Sequence, residues 1–220
     1  FLFITGALCL ISGCWNLVEV NDTSVCRAIG ADLAPGNMLK ASYQLEQPAA
    51  SKESGASSQA KTLTVVSSGD TPSYAARRLF LGFPHLPLWS QAEVYIVGEE
   101  LARHDMSLLA DHWGRNRNVR KTILVAVARG CKAVDVLNIP ETFSGTAVKN
   151  LDLLMTLQEA QYGAYLKTTM SELIVKFYTP GIDPAVPEIR LVKDSQGQKR
   201  IKLCGMAVFK GQKMVGSLNE

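Results

Sequence analysis

Thr122-Ile123-Leu124-Val125-Ala126-Val127-Ala128 is an uncharged, almost wholly apolar run. A strand with one wet face alternates apolar with polar residues. A run that is apolar at both parities reads instead as a strand covered on both faces. Upstream, Val94-Tyr95-Ile96-Val97 has the same character and is stopped by Gly98. These two strands are expected to form the centre of the sheet. Between them Met106, Leu108, Leu109, Ala110 and Trp113 keep one face of a helix dry over residues 105–113. A basic run, Arg115-Asn116-Arg117-Asn118-Val119-Arg120-Lys121, joins that helix to the central strand.

Further out, residues 25–33 and 39–45 read as strands joined by the turn Ala34-Pro35-Gly36-Asn37, and 62–67 returns as a third, β-branched strand. Residues 47–61 hold Ser, Ala, Gly and Lys with no large apolar side chain, which predicts a surface loop. Asp70-Thr71-Pro72-Ser73 has a capping side chain ahead of a proline, the mark of a helix start. That helix is expected to end near Gly82. Residues 83–89 carry Pro84 and Pro87 and are expected to be irregular. Residues 131–137, 148–160 and 170–178 are helical by period, separated at Pro140 and around Gly163, with the last stopping before Pro180-Gly181. Residues 186–192, 202–209 and 214–218 are strands, the last two a hairpin across Lys210-Gly211-Gln212-Lys213. The strands and helices alternate irregularly, so the fold class is α+β, a mixed β-sheet flanked by helices.

At the amino end, the apolar residues 1–11 are followed by Ser12, Gly13 and Cys14. The apolar run is about half the ~20 residues of a spanning helix and fits the ~7–15 of a signal-peptide core. Small residues fit the peptidase that cuts before a lipid-modified cysteine, and the thiol of Cys14 takes the lipid. An ordinary signal peptide with a chance Ser-Gly-Cys, or a buried first strand, are the alternatives. No Met, Lys or Arg precedes Phe1, so the numbered chain is expected to begin inside its own leader. The chain divides into 1–13 as leader, 14–200 as an α+β domain, and 201–220 as a hairpin expected to open a further domain. The formal charge of +3 over 220 residues is too small to argue for nucleic acid. Of five cysteines, Cys9 leaves with the leader and Cys14 carries lipid. Cys26, Cys131 and Cys204 are too far apart in sequence for a zinc or disulfide framework and read as buried free thiols, with a single disulfide as the alternative.

Catalytic signatures are missing. No Gly-x-Ser-x-Gly elbow, phosphate loop or dinucleotide fingerprint occurs. His104, Asp105, Asp111 and His112 are the one conceivable metal cluster, although capping and surface roles suit them better, and His85 stands apart. Glu99 and Glu100 follow a strand and favour a helix start, where the dipole welcomes negative charge. The concentrated basic features are Arg77-Arg78 and the trio Arg115, Arg117 and Arg120, which suit anionic lipid, an acidic partner or a solvated face. No catalytic residue, metal or cofactor is assigned, and an enzyme is not expected.

Gly13-Cys14-Trp15-Asn16-Leu17-Val18-Glu19-Val20-Asn21 resembles the start of the Ger(x)C family, the lipoprotein C subunits of nutrient germinant receptors of endospore-forming bacteria. In the same order, Ala76-Arg77-Arg78-Leu79, Trp89-Ser90-Gln91-Ala92-Glu93-Val94, Ile96-Val97-Gly98-Glu99-Glu100-Leu101-Ala102-Arg103, and finally Gly205-Met206-Ala207-Val208-Phe209-Lys210 are similar to blocks of that family. Departures are Gln91, where the family often has His, and Asn116 and Asn118, in a segment where it has acidic residues. The resemblance implies a non-enzymatic germination subunit, lipid-anchored through Cys14 to the outer face of the spore inner membrane. Its implied partners are integral-membrane receptor subunits, and it names no small-molecule ligand. A lipid-anchored solute-binding protein of a transporter is the alternative, and it predicts two α/β lobes around a cleft.

Overall fold

The computed structural model describes residues 18–19, 22–46, 62–139, 147–163 and 165–218. Cys14 with its leader, the Ser- and Ala-rich stretch 47–61, and Pro140 lie outside the described residues. In chain order the elements are β1 (Thr23–Ala34), a 3-10 turn (Pro35–Asn37), β2 (Met38–Glu46), β3 (Thr62–Gly69), α1 (Pro72–Leu79), β4 (Leu86–Leu88), a second 3-10 turn (Trp89–Gln91) and β5 (Val94–Gly98). They continue with α2 (Glu99–His104), α3 (Ser107–Arg115), β6 (Leu124–Ala128), α4 (Ala133–Leu137), α5 (Ala147–Tyr162), α6 (Met170–Tyr178), β7 (Ala185–Lys193), β8 (Lys199–Lys210) and β9 (Lys213–Leu218).

One mixed sheet runs β3-β2-β1-β5-β6-β7-β8-β9, with β4 lying beside the start of β1. The middle is parallel: β1 with β5, β5 with β6, and β6 with β7. Antiparallel pairs extend it on both sides, β1-β2-β3 at one edge and β7-β8-β9 at the other. The fold is therefore α+β with a mixed sheet, one continuous sheet rather than two lobes. The hairpin of β8 and β9 is part of it, since β8 pairs with β7 from Lys199 to Val208.

The two central strands are apolar at every position because helices cover both faces. Tyr95, Val97, Val125 and Val127 pack with α1, α2, α3 and α6 through Leu79, Leu101, Trp113 and Leu173. Ile96, Leu124 and Ala126 pack on the other side with Val136, Leu137, Leu151 and Met155 of α4 and α5. Burying each such large side chain stabilises by about 1.5–3 kcal/mol.

Local chemistry sets the element ends. Thr71 Oγ1 accepts the Tyr74 N–H at 3.2 Å ahead of Pro72, which starts α1. The helix closes at Leu79, a turn before Gly82. Thr169 and Glu172 form a reciprocal capping box that starts α6, with Thr169 N–H donating to Glu172 at 2.8 Å. Asp105 separates α2 from α3, its carboxylate accepting the Ser107 N–H and the Ser107 hydroxyl, each at 2.8 Å. Two expectations shift. Residues 131–137 start their helix only at Ala133. Within 83–89, Leu86–Leu88 pairs in parallel with Thr23–Val25, which the prolines tolerate because the pair is short and lies at an edge.

Candidate functional site

Ligands of parallel sheets usually bind at the carboxyl ends of the strands, where neighbouring helices leave towards opposite faces. Here α2 follows β5 on one face and α4 follows β6 on the other. A crevice of about 500 Å³ lies at those strand ends, lined by Asp32, Gly98, Glu99, Arg103, Cys131 and Asp135. The chain itself occupies its donors. Asp32, only 3% exposed, accepts the N–H groups of Ala133 at 2.7 Å and Val134 at 3.1 Å. Burial pushes its carboxyl pKa up, opposed by those two hydrogen bonds. Glu99 accepts the Gly130 N–H and the Arg103 guanidinium, both at 2.9 Å; desolvation raises its pKa, but these bonds together with the charges of Arg103 and Arg129 bring it below its ordinary value. A side chain at Gly98 would collide with the Asp32 carboxylate. This crevice is a structural junction, in which a carboxylate of β1 starts a helix packed on the sheet.

The larger cleft, about 900 Å³, lies between α1, the β4 segment and residues 115–119. Among the described residues three arginines line it, Arg77, Arg115 and Arg117, and no Asp or Glu does. Arg115 is paired with Asp111 at 2.8 Å. Among the described residues, Arg77 and Arg117 have no ion-pair partner. Trp89 forms part of the wall and stands edge-on to Tyr43, ring centroids 4.9 Å apart.

The wall of this cleft is held by a chain of hydrogen bonds. Asn118 N–H donates to Asn116 Oδ1 at 2.8 Å, which turns the Asn116 amide nitrogen towards His112 Nε2, 3.0 Å away. Nε2 is then the acceptor, so His112 carries its proton on Nδ1 and donates it to Ser73 Oγ at 3.1 Å. Lys121 Nζ donates to the Asn116 carbonyl at 2.7 Å. Burial lowers the His112 pKa, and the nearby Lys121 charge lowers it further against a smaller opposing effect of Asp111. At neutral pH the imidazole is neutral, and the arginines supply the cleft's charge.

The remaining residues singled out in the sequence are scattered. His104 closes α2, His85 stacks edge-on with Phe83 at 5.6 Å, and Asp105 and Asp111 have the capping and pairing roles given above. Among the described residues no three His, Cys, Asp or Glu side chains are grouped to hold a metal. Arg78 turns away from the cleft to the Ser68 carbonyl and the Tyr74 ring, and Arg120 lines a separate polar depression with Lys167. Cys26, Cys131 and Cys204 are free thiols, Cys131 half-buried and the others buried, and burial raises the pKa of each. Such thiols hold little reactive thiolate. Sequence reading missed two buried carboxylates, Asp32 and Glu188. Glu188 is fully buried and accepts from Ser217 Oγ at 2.6 Å and Arg129 Nη1 at 3.3 Å. An acidic residue inside each strand was the available signal.

Comparison with known proteins is consistent in direction. YfkR of Bacillus subtilis (strain 168), a protein named for spore germination, is 27% identical over 217 residues, covering 94% of this chain and 54% of YfkR. Spore germination protein KC of the same organism is 20% identical over 192 residues, covering 85% of this chain and 47% of KC. Spore germination protein B3 is 29% identical over 136 residues, 61% of this chain and 34% of B3. The chain thus spans about half the length, or less, of the curated relatives it matches. No solved structure matches it. The family model for the spore germination protein N-terminal domain matches residues 16–191, so the chain belongs to that family.

Proposed function

We propose that this chain is a lipid-anchored, non-enzymatic subunit of a receptor that couples a nutrient signal to spore germination. It sits on the outer face of the spore inner membrane and assembles with integral-membrane partner subunits. The observation that carries the reading is the family match over residues 16–191, which begins two residues after the lipobox cysteine Cys14. The helix-terminal crevice supports a non-enzymatic role, because the donors an anionic substrate would use are already held by Asp32 and Glu99.

In this reading a diacylglyceryl group on Cys14 holds the domain, since two acyl chains anchor stably where one does so only marginally. Confinement to the surface raises the domain's effective concentration beside its partners, so that weak lateral contacts suffice. The test is Cys14→Ala in the full-length protein in spores. The variant is expected in the soluble fraction at normal abundance, with nutrient-triggered germination impaired as read by the fall in optical density. A variant that stays membrane-bound and germinates normally sinks the reading.

A further inference from the structure

The arginine-lined cleft is the strongest unexplained feature of the surface, because it combines unpaired positive charge with large apolar side chains. Arg77 and Arg117 are exposed and face a cleft whose lining, among the described residues, holds no carboxylate. Around it, Phe80 is 45% exposed, Leu81 84% and Leu86 43%. A solvated basic face has no use for three large apolar side chains. Arginine beside exposed Phe and Leu, with a tryptophan in the wall, is the composition of a surface that sits at the boundary between lipid headgroups and acyl chains.

Two further observations place the feature. The cleft wall Leu86–Leu88 pairs residue by residue with Thr23–Val25, the first residues of β1. Cys14 is nine positions before Thr23, so the chain between them reaches at most about 30 Å. An acyl group on Cys14 keeps this end of the sheet near the bilayer. The loop carrying Arg117 is also fixed, by the Asn118–Asn116–His112–Ser73 chain of hydrogen bonds and by Lys121 on the Asn116 carbonyl. The cations are presented on a rigid wall, so little ordering is needed on contact.

We propose that the cleft is a membrane-docking surface, in which Arg77 and Arg117 take the phosphates of anionic phospholipid headgroups while Phe80, Leu81 and Leu86 enter the interface. Docking fixes the orientation of the domain and so the face it turns to membrane-embedded partners. The orientation argument rests on the lipid anchor proposed above, but the docking itself is tested without it.

The mature chain starting at residue 14, with Cys14→Ala so that no lipid is attached, is sedimented with vesicles. One set holds 30 mol % phosphatidylglycerol in phosphatidylcholine, the other phosphatidylcholine alone. Binding is expected to the first set only and to weaken as salt rises from 0.1 to 0.5 M. Each cation near an anionic surface contributes about fivefold in affinity. Arg77→Gln with Arg117→Gln should therefore weaken binding by about 25-fold, with an unchanged thermal unfolding midpoint. Arg78→Gln, whose guanidinium points elsewhere, should bind as the parent does. Leu81→Ser, exposed and outside any core, should weaken binding without changing the salt dependence. Equal binding to both vesicle sets, no binding to either, or a double variant that binds like the parent overturns the proposal. Displacement from vesicles by 20 mM inorganic phosphate, against chloride of matched ionic strength, also overturns it, because the site then takes a free anion. If the chain ignores the vesicles yet the double variant blocks assembly in spores, the cleft serves an acidic protein segment and the lipid assignment fails. A parent that binds these vesicles while native Cys14 proves unlipidated keeps the docking surface and refutes only the anchor.

Discussion

Asp32 and Gly98 form one device, and their substitutions should not add. Asp32 accepts two N–H groups at the start of α4, at 2.7 and 3.1 Å, in a site where the carboxylate is almost wholly buried. A hydrogen bond to a charged group is worth about 1.5–3 kcal/mol net, so the pair gives roughly 3–6. The burial that raises the Asp32 pKa offsets part of this. Asp32→Ala should therefore cost about 2–4 kcal/mol, since water reaches the freed donors poorly. Gly98→Ala would place a methyl group against Asp32 Oδ1, with the Ala31 carbonyl 3.5 Å away in ordinary contact. Overpacking of this kind costs about 1–3 kcal/mol. Once Asp32 is Ala, the obstruction is gone and the carbonyl contact is harmless. The double variant should then be more stable than the sum of the single effects predicts, by about 1–3 kcal/mol. Urea unfolding of the four mature chains, followed by far-ultraviolet circular dichroism at equal m-values, reads this coupling directly. Costs that add to within about 0.5 kcal/mol, or an Asp32→Ala cost below about 1 kcal/mol, would refute the reasoning.

Gly205 sits at φ +147° with the Leu218 carbonyl where a Cβ would go and Glu188 Oε2 3.2 Å from it. Gly205→Ala should cost about 2–5 kcal/mol and speed amide exchange in β9, measured by urea unfolding and hydrogen exchange. His112 has a pKa below its ordinary 6.5, so the unfolded chain binds the extra proton first. Its contribution is present above about pH 6.5 and is lost as pH falls through the lowered value. The groups that face it are Ser73 on α1, Asp111 on its own helix, and Asn116 and Lys121. His112→Gln should flatten the stability profile between pH 7 and 5, and a parent profile that already lacks this slope contradicts the lowered pKa of His112. Thr169→Ala removes the cap of α6 and should cost about 1 kcal/mol by the same urea measurement.

Elements whose signal is local were legible in the sequence. Residues 170–178 start at a Thr-x-x-Glu box, end before Pro180-Gly181, and form α6 over the expected residues. The two-sided apolar runs gave β5 and β6 because their burial on both faces leaves no polar register to read. Strand order was not legible. Pairing β1 with β5, sixty residues on, is decided by tertiary packing, and nothing in either strand alone distinguishes a parallel neighbour from an antiparallel one. β4 escaped notice because Pro84 and Pro87 suppress strand character. The cleft escaped for a different reason. Arg77 and Arg117 lie forty positions apart, and only the packing of α1 against α3 brings them to one wall. Asp32 sits in a strand whose polar positions would ordinarily face water, and its burial depends on α4 arriving from a hundred residues later.

The claim on which the account turns is that the mature protein begins at Cys14 and carries lipid there. The most direct test is the intact mass of the membrane-extracted protein, expressed with a complete leader in a Gram-positive host. The account predicts a mass that starts at Cys14 plus one diacylglyceryl group. An unmodified mature chain, or one cut elsewhere, would contradict it and leave a freely secreted domain in its place.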